Sequence, residues 1–224
     1  MLLFSNLIKW TRKSKILVLI LRCMISSLTI IFGSRSKAQE ILFLLHDLKP
    51  VVRQGYYEEE LPSVENYCRT NNLHVVKSPF KVLLEDNSPY SNYSNKGLRL
   101  PASDPQRGMY FIYISKGEKN ALLAGYYEVT ENHRELGRLL GYPECCITFF
   151  CENFSAEHPN PEHSPINPLT NITQRDKDVV LISHFPCRSE CTESITLAEK
   201  YLKIIQHHDP PWAEQLLLHL RERT

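Results

Sequence analysis

The sequence predicts an α+β fold in a single domain, a small sheet packed against several helices. Three observations carry this expectation. Apolar residues recur at helical spacing over residues 38–52, 58–72, 119–128 and 133–140. Runs rich in β-branched and aromatic side chains read as strands over 73–84, 109–115 and 179–183. A chain of 224 residues, with ordinary apolar and charged fractions, is long enough for one well-buried core.

The first 37 residues read as a basic and apolar N-terminal extension, with the domain proper over 38–224. Lys9, Arg12, Lys13, Lys15, Arg22, Arg35 and Lys37 all precede the first acidic residue, Glu40. Ile16–Ile20 and Ile25–Phe32 are apolar, as in a signal peptide or membrane anchor. Arg22 interrupts that run, at a cost of roughly 2.5–3.5 kcal/mol for a spanning helix, and no small-residue cleavage site follows. The expectation is a start at Met24 or a disordered extension, with peripheral membrane contact as the alternative.

In 38–52, Ile41, Leu44, Leu45 and Leu48 share one helical face, and Pro50 marks the end. In 58–72, Pro62 stands near the start and Val64, Tyr67 and Cys68 share a face; Cys68 reads as a small buried hydrophobe. Leu73–Val76 and Phe80–Leu84 are strands separated by Lys77-Ser78-Pro79. Residues 86–107 are rich in Ser, Asn, Pro and Gly and read as a surface loop carrying Tyr90 and Tyr93. Met109–Ser115 is apolar on both faces, which suits a central strand.

Asn132 is placed to cap the helix 133–140, Gly141 to end it in the left-handed conformation, and Pro143 to begin the next at its first position. Cys145 and Cys146 then fall in the first turn of a helix over 143–154, held to the core by Phe149, Phe150 and Phe154. Residues 155–174 hold four prolines and form a long loop containing His158 and His163. Pro186 suits the start of a last long helix, on which Cys187 and Cys191 lie four apart on one face. Ile195, Ala198, Leu202 and Ile205 continue that face, and Trp212–Leu220 ends the chain as a short amphipathic helix.

Two segments concentrate the chemistry. Gly141-Tyr142-Pro143-Glu144-Cys145-Cys146 and His184-Phe185-Pro186-Cys187-Arg188-Ser189-Glu190-Cys191 hold four of the seven cysteines. An odd, clustered set is not a disulfide framework and points to a reducing compartment, the cytoplasm. The formal net charge of +1 favours no nucleic-acid partner and excludes none. Four soft thiolates suit zinc or an iron–sulfur cluster. Adjacent cysteines on a helix point about 100° apart, which is awkward around one small ion. A four-iron cluster, with separate iron corners, is therefore the favoured cofactor, and zinc the alternative.

In this reading Cys145, Cys146, Cys187 and Cys191 are the metal ligands, and Cys151 is a spare ligand or core filler. His184 is the candidate catalytic residue, as a fifth ligand, a ligand-orienting donor or a proton carrier. The protein is expected to be a metal- or iron–sulfur-binding protein, a reductase or modifying enzyme acting on a small molecule or nucleoside. One alternative is a non-catalytic zinc-stabilised interaction module. Another is a thiol enzyme with Cys187 as nucleophile, His184 as base and Glu190 or Glu193 nearby. A radical S-adenosylmethionine signature fails at its third position, which is Ser194. Arg134, Arg138 and Arg188 near the motifs balance Glu135, Glu144 and Glu190, or bind an anion.

The four cysteines alone are similar to those of the adjacent-cysteine type of epoxyqueuosine reductase, which binds a cluster through a Cys-Cys pair and a distant pair. More specifically, Leu139–Cys146 with Phe149-Phe150, and His184–Cys187 through Cys191 and Ser194, resemble a prokaryotic group, domain-of-unknown-function family 483. That resemblance runs over about residues 108–203. It implies that the two segments form one site and implies no reaction.

Overall fold

The structure is a computed structural model that describes residues 24–84, 97–155 and 158–222. Helices α1 (Met24–Phe32), α2 (Arg35–Leu45) and α3 (Leu61–Thr70) lead into and flank the sheet strands β1 (Val52–Tyr56) and β2 (His74–Leu84). Strands β3 (Gly97–Pro101) and β4 (Met109–Ser115) follow. Then come helices α4 (Glu118–Val129), α5 (His133–Leu139), α6 (Glu144–Asn153), α7 (Thr192–His208) and α8 (Pro210–Arg221). The sheet is antiparallel throughout, in the order β1-β4-β2-β3. The α+β expectation holds.

β4 lies at the centre of the sheet, as its two apolar faces require. Alternate residues serve different layers. Tyr110, Ile112 and Ile114 face the main core, with α1, α2, α3 and α7. Tyr113 faces a second cluster with Ala124, Leu136 and Leu140 from α4 and α5. Cys68 is buried in the main core, and burial raises its thiol pKa to about 12, so it is an inert hydrophobe. Residues 24–37, which the sequence assigned to an extension, form α1 and the start of α2; Ile25, Leu28 and Phe32 are core residues. Residues 1–23 and the loop tyrosines Tyr90 and Tyr93 lie outside the described residues.

Three strand expectations change. Residues 73–84 form one strand rather than two, because β2 carries a bulge between Lys77 and Lys81 that takes Pro79 out of the ladder. Ser78 repairs the gap: its hydroxyl accepts from Phe111 N at 3.0 Å and donates to Phe80 O at 2.6 Å. β1 and β3 were not expected. β3 is short and mostly exposed, with little apolar pattern to betray it. Residues 179–183 are not a strand. Leu181 and Ile182 are buried against helices, and the Val180 carbonyl is met by the Gln39 amide at 3.2 Å. Apolar content alone had marked them as strand.

Two contacts tie the helical layer together, and each gives an expected result. Asp178, in the left-handed conformation at φ 62°, accepts from the N–H groups of Arg35 at 2.5 Å and Ser36 at 3.0 Å. It thus caps α2 from 142 residues away in sequence. Asp178→Ala is expected to destabilise the fold by about 1–2 kcal/mol, as loss of a helix cap does, read by urea unfolding.

At the other end, His46 Nε2 and His208 Nε2 lie 2.7 Å apart, joining the C-termini of α2 and α7. One ring donates and the other accepts, so doubly charged rings cannot keep the contact. Burial, then His207 and Lys116, lowers the His46 pKa against an opposing pull from Asp47. Burial, then His46 and His207, lowers that of His208. With folded values below the unfolded one, the unfolded chain takes up protons first as the pH falls. The stability contributed is therefore complete above about pH 6.5 and lost below it. Urea midpoints between pH 7.5 and 5 are expected to fall more in the wild type than in His46→Gln.

Candidate metal centre

The two cysteine segments meet because three helix ends are shaped to bring them together. Asn132 caps α5 through its side chain, accepting from Glu135 N at 3.2 Å. Gly141, at φ +75°, closes the same helix: its N–H reaches Arg138 O at 3.0 Å, and Tyr142 N reaches Gly137 O at 3.1 Å. This paired arrangement needs a left-handed residue at Gly141. Pro143 takes the cap position of α6, one residue earlier than expected, and its carbonyl accepts from Cys146 and Ile147. Cys145 and Cys146 thus occupy the first turn of α6. Gly137 lets α5 and α6 approach closely, since a Cβ there would lie 2.9 Å from Ile147 Cγ1.

The distal segment differs from expectation. α7 starts at Thr192, with Cys191 as its cap residue. Cys187 lies in the irregular stretch before it, so the pair does not share a helical face. A turn closed by Cys191 N to Arg188 O at 3.1 Å folds Cys187 back toward Cys146 instead.

All four sulfurs come together. Those of Cys145, Cys146, Cys187 and Cys191 lie within 4.8 Å of one another. Cys145 to Cys146 is 3.8 Å, and Cys191 is 3.6 Å from each. Cys146 and Cys191 are buried, Cys187 is half-buried and Cys145 is exposed. The Cys146 sulfur also accepts from Cys187 N at 3.4 Å and stands 3.2 Å from Ser194 Oγ. The N-termini of α6 and α7 both end here, and their dipoles favour negative charge.

Left to themselves, these thiols resist joint ionisation. Burial raises the Cys145 pKa, with Cys191 and Cys146 adding to it. Burial also raises Cys146, to about 12, against the pull of Ser194 and the Cys187 N–H. Cys191 is lowered, because hydrogen bonds from Ser194 and the two neighbouring thiols outweigh its burial. Four thiolates at this spacing need a cation among them. Four close cysteines with two helix dipoles fit a bound metal, and that much the donor set supports.

His184 is buried, with Nε2 2.8 Å from Ser194 Oγ. It reaches Cys146 only through that hydroxyl and is not in the ligand group. Burial, with Lys49 and Arg175 nearby, pushes its pKa down to about 3, so the ring is neutral at physiological pH. Its ring lies against Tyr142, 5.1 Å between centroids. The Tyr142 hydroxyl receives Ser183 Oγ at 3.3 Å, and Ser183 receives the Lys49 ammonium at 3.0 Å. Lys49 in turn pairs with Glu40 at 2.6 Å, with no exposed side-chain surface of its own.

Ser194 is the residue to which sequence reasoning gave no role, having noted it as a failed cysteine position and as part of the family-like motif. Its signal was available: it lies three residues after Cys191, on the same first turn. Cys151 is exposed on α6 and outside the cluster, so it neither fills the core nor joins the ligands. His163 lies against Phe149, 4.9 Å between centroids. Neither it nor His158 joins the cluster. Arg134 and Arg138 both pair with Glu144, and Arg138 also with Glu135, so these charges balance one another. A shallow cleft of about 350 Å³ opens beside the cluster, lined by Tyr142, Pro143, Thr192, Glu193 and Thr196. Glu193 Oε2 lies 3.5 Å from the Cys191 sulfur and 3.8 Å from that of Cys145.

Among the described residues no helix is long and apolar enough to cross a membrane. No curated protein and no solved structure matches the chain. A family model does match: residues 121–213, which hold all four clustered cysteines, resemble the family described as "Protein of unknown function (DUF483)".

Proposed function

We propose that the four cysteines hold a single zinc ion in a closed structural site, and that the chain is a zinc-stabilised module. The sulfur spacing carries this reading. Zinc–thiolate bonds of about 2.3 Å in a tetrahedron set the sulfurs about 3.8 Å apart. The closest sulfur contacts here are 3.6–3.8 Å. A four-iron cluster puts each thiolate on its own iron corner, with the sulfurs farther apart than one ion's tetrahedral edge. The sequence favoured that larger cofactor because adjacent cysteines on a helix diverge. Cys145 and Cys146 nevertheless bring their sulfurs to 3.8 Å, since the first helical turn leaves both side chains turned toward Cys191.

Four protein ligands leave a zinc ion no open position for substrate, the mark of a structural rather than catalytic site. The ion would fasten α6, the stretch around Cys187 and α7 to one point. His184, neutral and behind Ser194, would orient the Cys146 thiolate rather than carry protons. The cleft beside Cys145 and Glu193 favours a second reading, in which the centre serves reductive or modifying chemistry on a small molecule or nucleoside.

Metal and acid-labile sulfide analysis, with an absorption spectrum of protein purified without oxygen, separates the two. One zinc per chain, no sulfide and no colour is the expected result. Iron with matching sulfide and broad visible absorption would replace the module with the redox reading. Folded protein with four reduced cysteines and no metal would remove both.

A further inference from the structure

Three large apolar side chains stand exposed on one helix. Leu122, Tyr126 and Val129 of α4 are 53%, 61% and 49% exposed. Their spacing of four and three residues places them in one row, while Ala121, Ala124, Gly125 and Glu128 are the buried residues of the same helix. Among the described residues nothing covers that row. A contiguous apolar face of this kind marks an interaction surface more often than a scattered exposed side chain does.

We propose that this face pairs with the same face of a second copy of the chain, α4 against α4 in antiparallel order. The row is complementary to itself. About a two-fold axis beside Tyr126, Leu122 of one copy meets Val129 of the other, and Tyr126 meets its counterpart. Lys119, exposed at the start of the helix, then falls opposite Glu131, just past its end. The three pairings are centred at about residues 125.5, 126 and 125, within half a residue of one two-fold axis, as an isologous interface demands. Glu131 has charge to offer: its side chain is 71% exposed and only loosely paired, 3.6 Å from Arg99. Parallel order would instead set Lys119 against Lys119 and Glu131 against Glu131. Antiparallel order also opposes the two helix dipoles favourably.

The size of the surface sets the strength. A helix of 12 residues is about 18 Å long. Such a pair buries less than the roughly 1,200–2,000 Å² of a standard interface, so the dimer is weak and dissociates on dilution.

Sedimentation of the full chain over a concentration series tests this. The wild type is expected to pass from monomer to dimer as concentration rises. Tyr126→Asp should weaken association by more than about 100-fold. Leu218→Asp, at another exposed apolar position, should leave it unchanged. Lys119→Glu and Glu131→Lys should each weaken it about three- to tenfold, because an exposed ion pair is lost twice per dimer. The double swap should restore it, which no mere loss of folding would do. A wild type that stays monomeric up to about millimolar concentration overturns the proposal and leaves the face to a different partner. Equal effects of Tyr126→Asp and Leu218→Asp, or a double swap as weak as its singles, overturn it too.

Discussion

Cys191→Ser is expected to empty the metal site and to lower the unfolding free energy by several kcal/mol. Cys191 is fully buried, caps α7, and touches two of the other three sulfurs. Serine retains the shape but offers a poor zinc ligand. Structural zinc in small peptides is worth roughly 10–16 kcal/mol, and a domain with its own core keeps part of its stability without it. Metal content should fall from one ion per chain to near zero, with the urea midpoint falling in parallel. Cys151→Ser, exposed and outside the cluster, should change neither quantity. Ser194→Ala should lie between them, lowering metal affinity by about 10- to 100-fold through the loss of a group that orients Cys146. A Cys191→Ser protein that keeps both its metal and its midpoint would refute the assignment.

The second large effect is expected at Lys49. Its ammonium is wholly buried, so desolvation works to lower its pKa; Glu40 at 2.6 Å, together with Tyr201 and Tyr142, more than offsets this, and the net shift is upward. Lys49→Met leaves the Glu40 carboxylate buried without its partner. Breaking such a pair from one side costs about 3–5 kcal/mol, while replacing both partners costs far less. Lys49→Met is therefore expected to be worse than Lys49→Met with Glu40→Gln, and a double-mutant cycle by urea unfolding reads the difference. If the double variant is as unstable as the sum of its singles, the two groups are not coupled and the account fails. The single variant should also weaken metal binding, because Lys49 supports Ser183, and through it Tyr142 and His184.

Much of the fold was legible where the pattern was local. Asn132, Gly141 and Pro143 marked the helix junction because capping and left-handed turns depend on single residue types. Both faces of β4 announced a central strand. The pairing of the two cysteine segments was legible because four thiols in two short runs have few other uses. What was hidden depends on tertiary context. β1 and β3 are edge strands of the sheet with weak patterns of their own, and they exist because β4 and β2 offer them a ladder. Residues 179–183 have strand-like composition, yet among the described residues they pair with no strand. The helix expected from Pro186 begins only at Thr192, because the chain must first turn back to bring Cys187 to Cys146. Lys49 was silent because its role is set by a neighbour 134 residues away.

The stretch between Asn153 and Pro168 has a consequence for how the molecule is held together. Its described residues form neither helix nor strand, and it is the covalent link between the halves of the metal centre. A protease that cuts it would sever the backbone without parting the pieces. Cys145 and Cys146 would remain on one fragment and Cys187 and Cys191 on the other, and the four thiols would still meet at one point. The nicked chain would migrate as one particle in native conditions even after a chelator is added, because the core shared by the two fragments, with Phe43 stacked on Tyr201, also joins them.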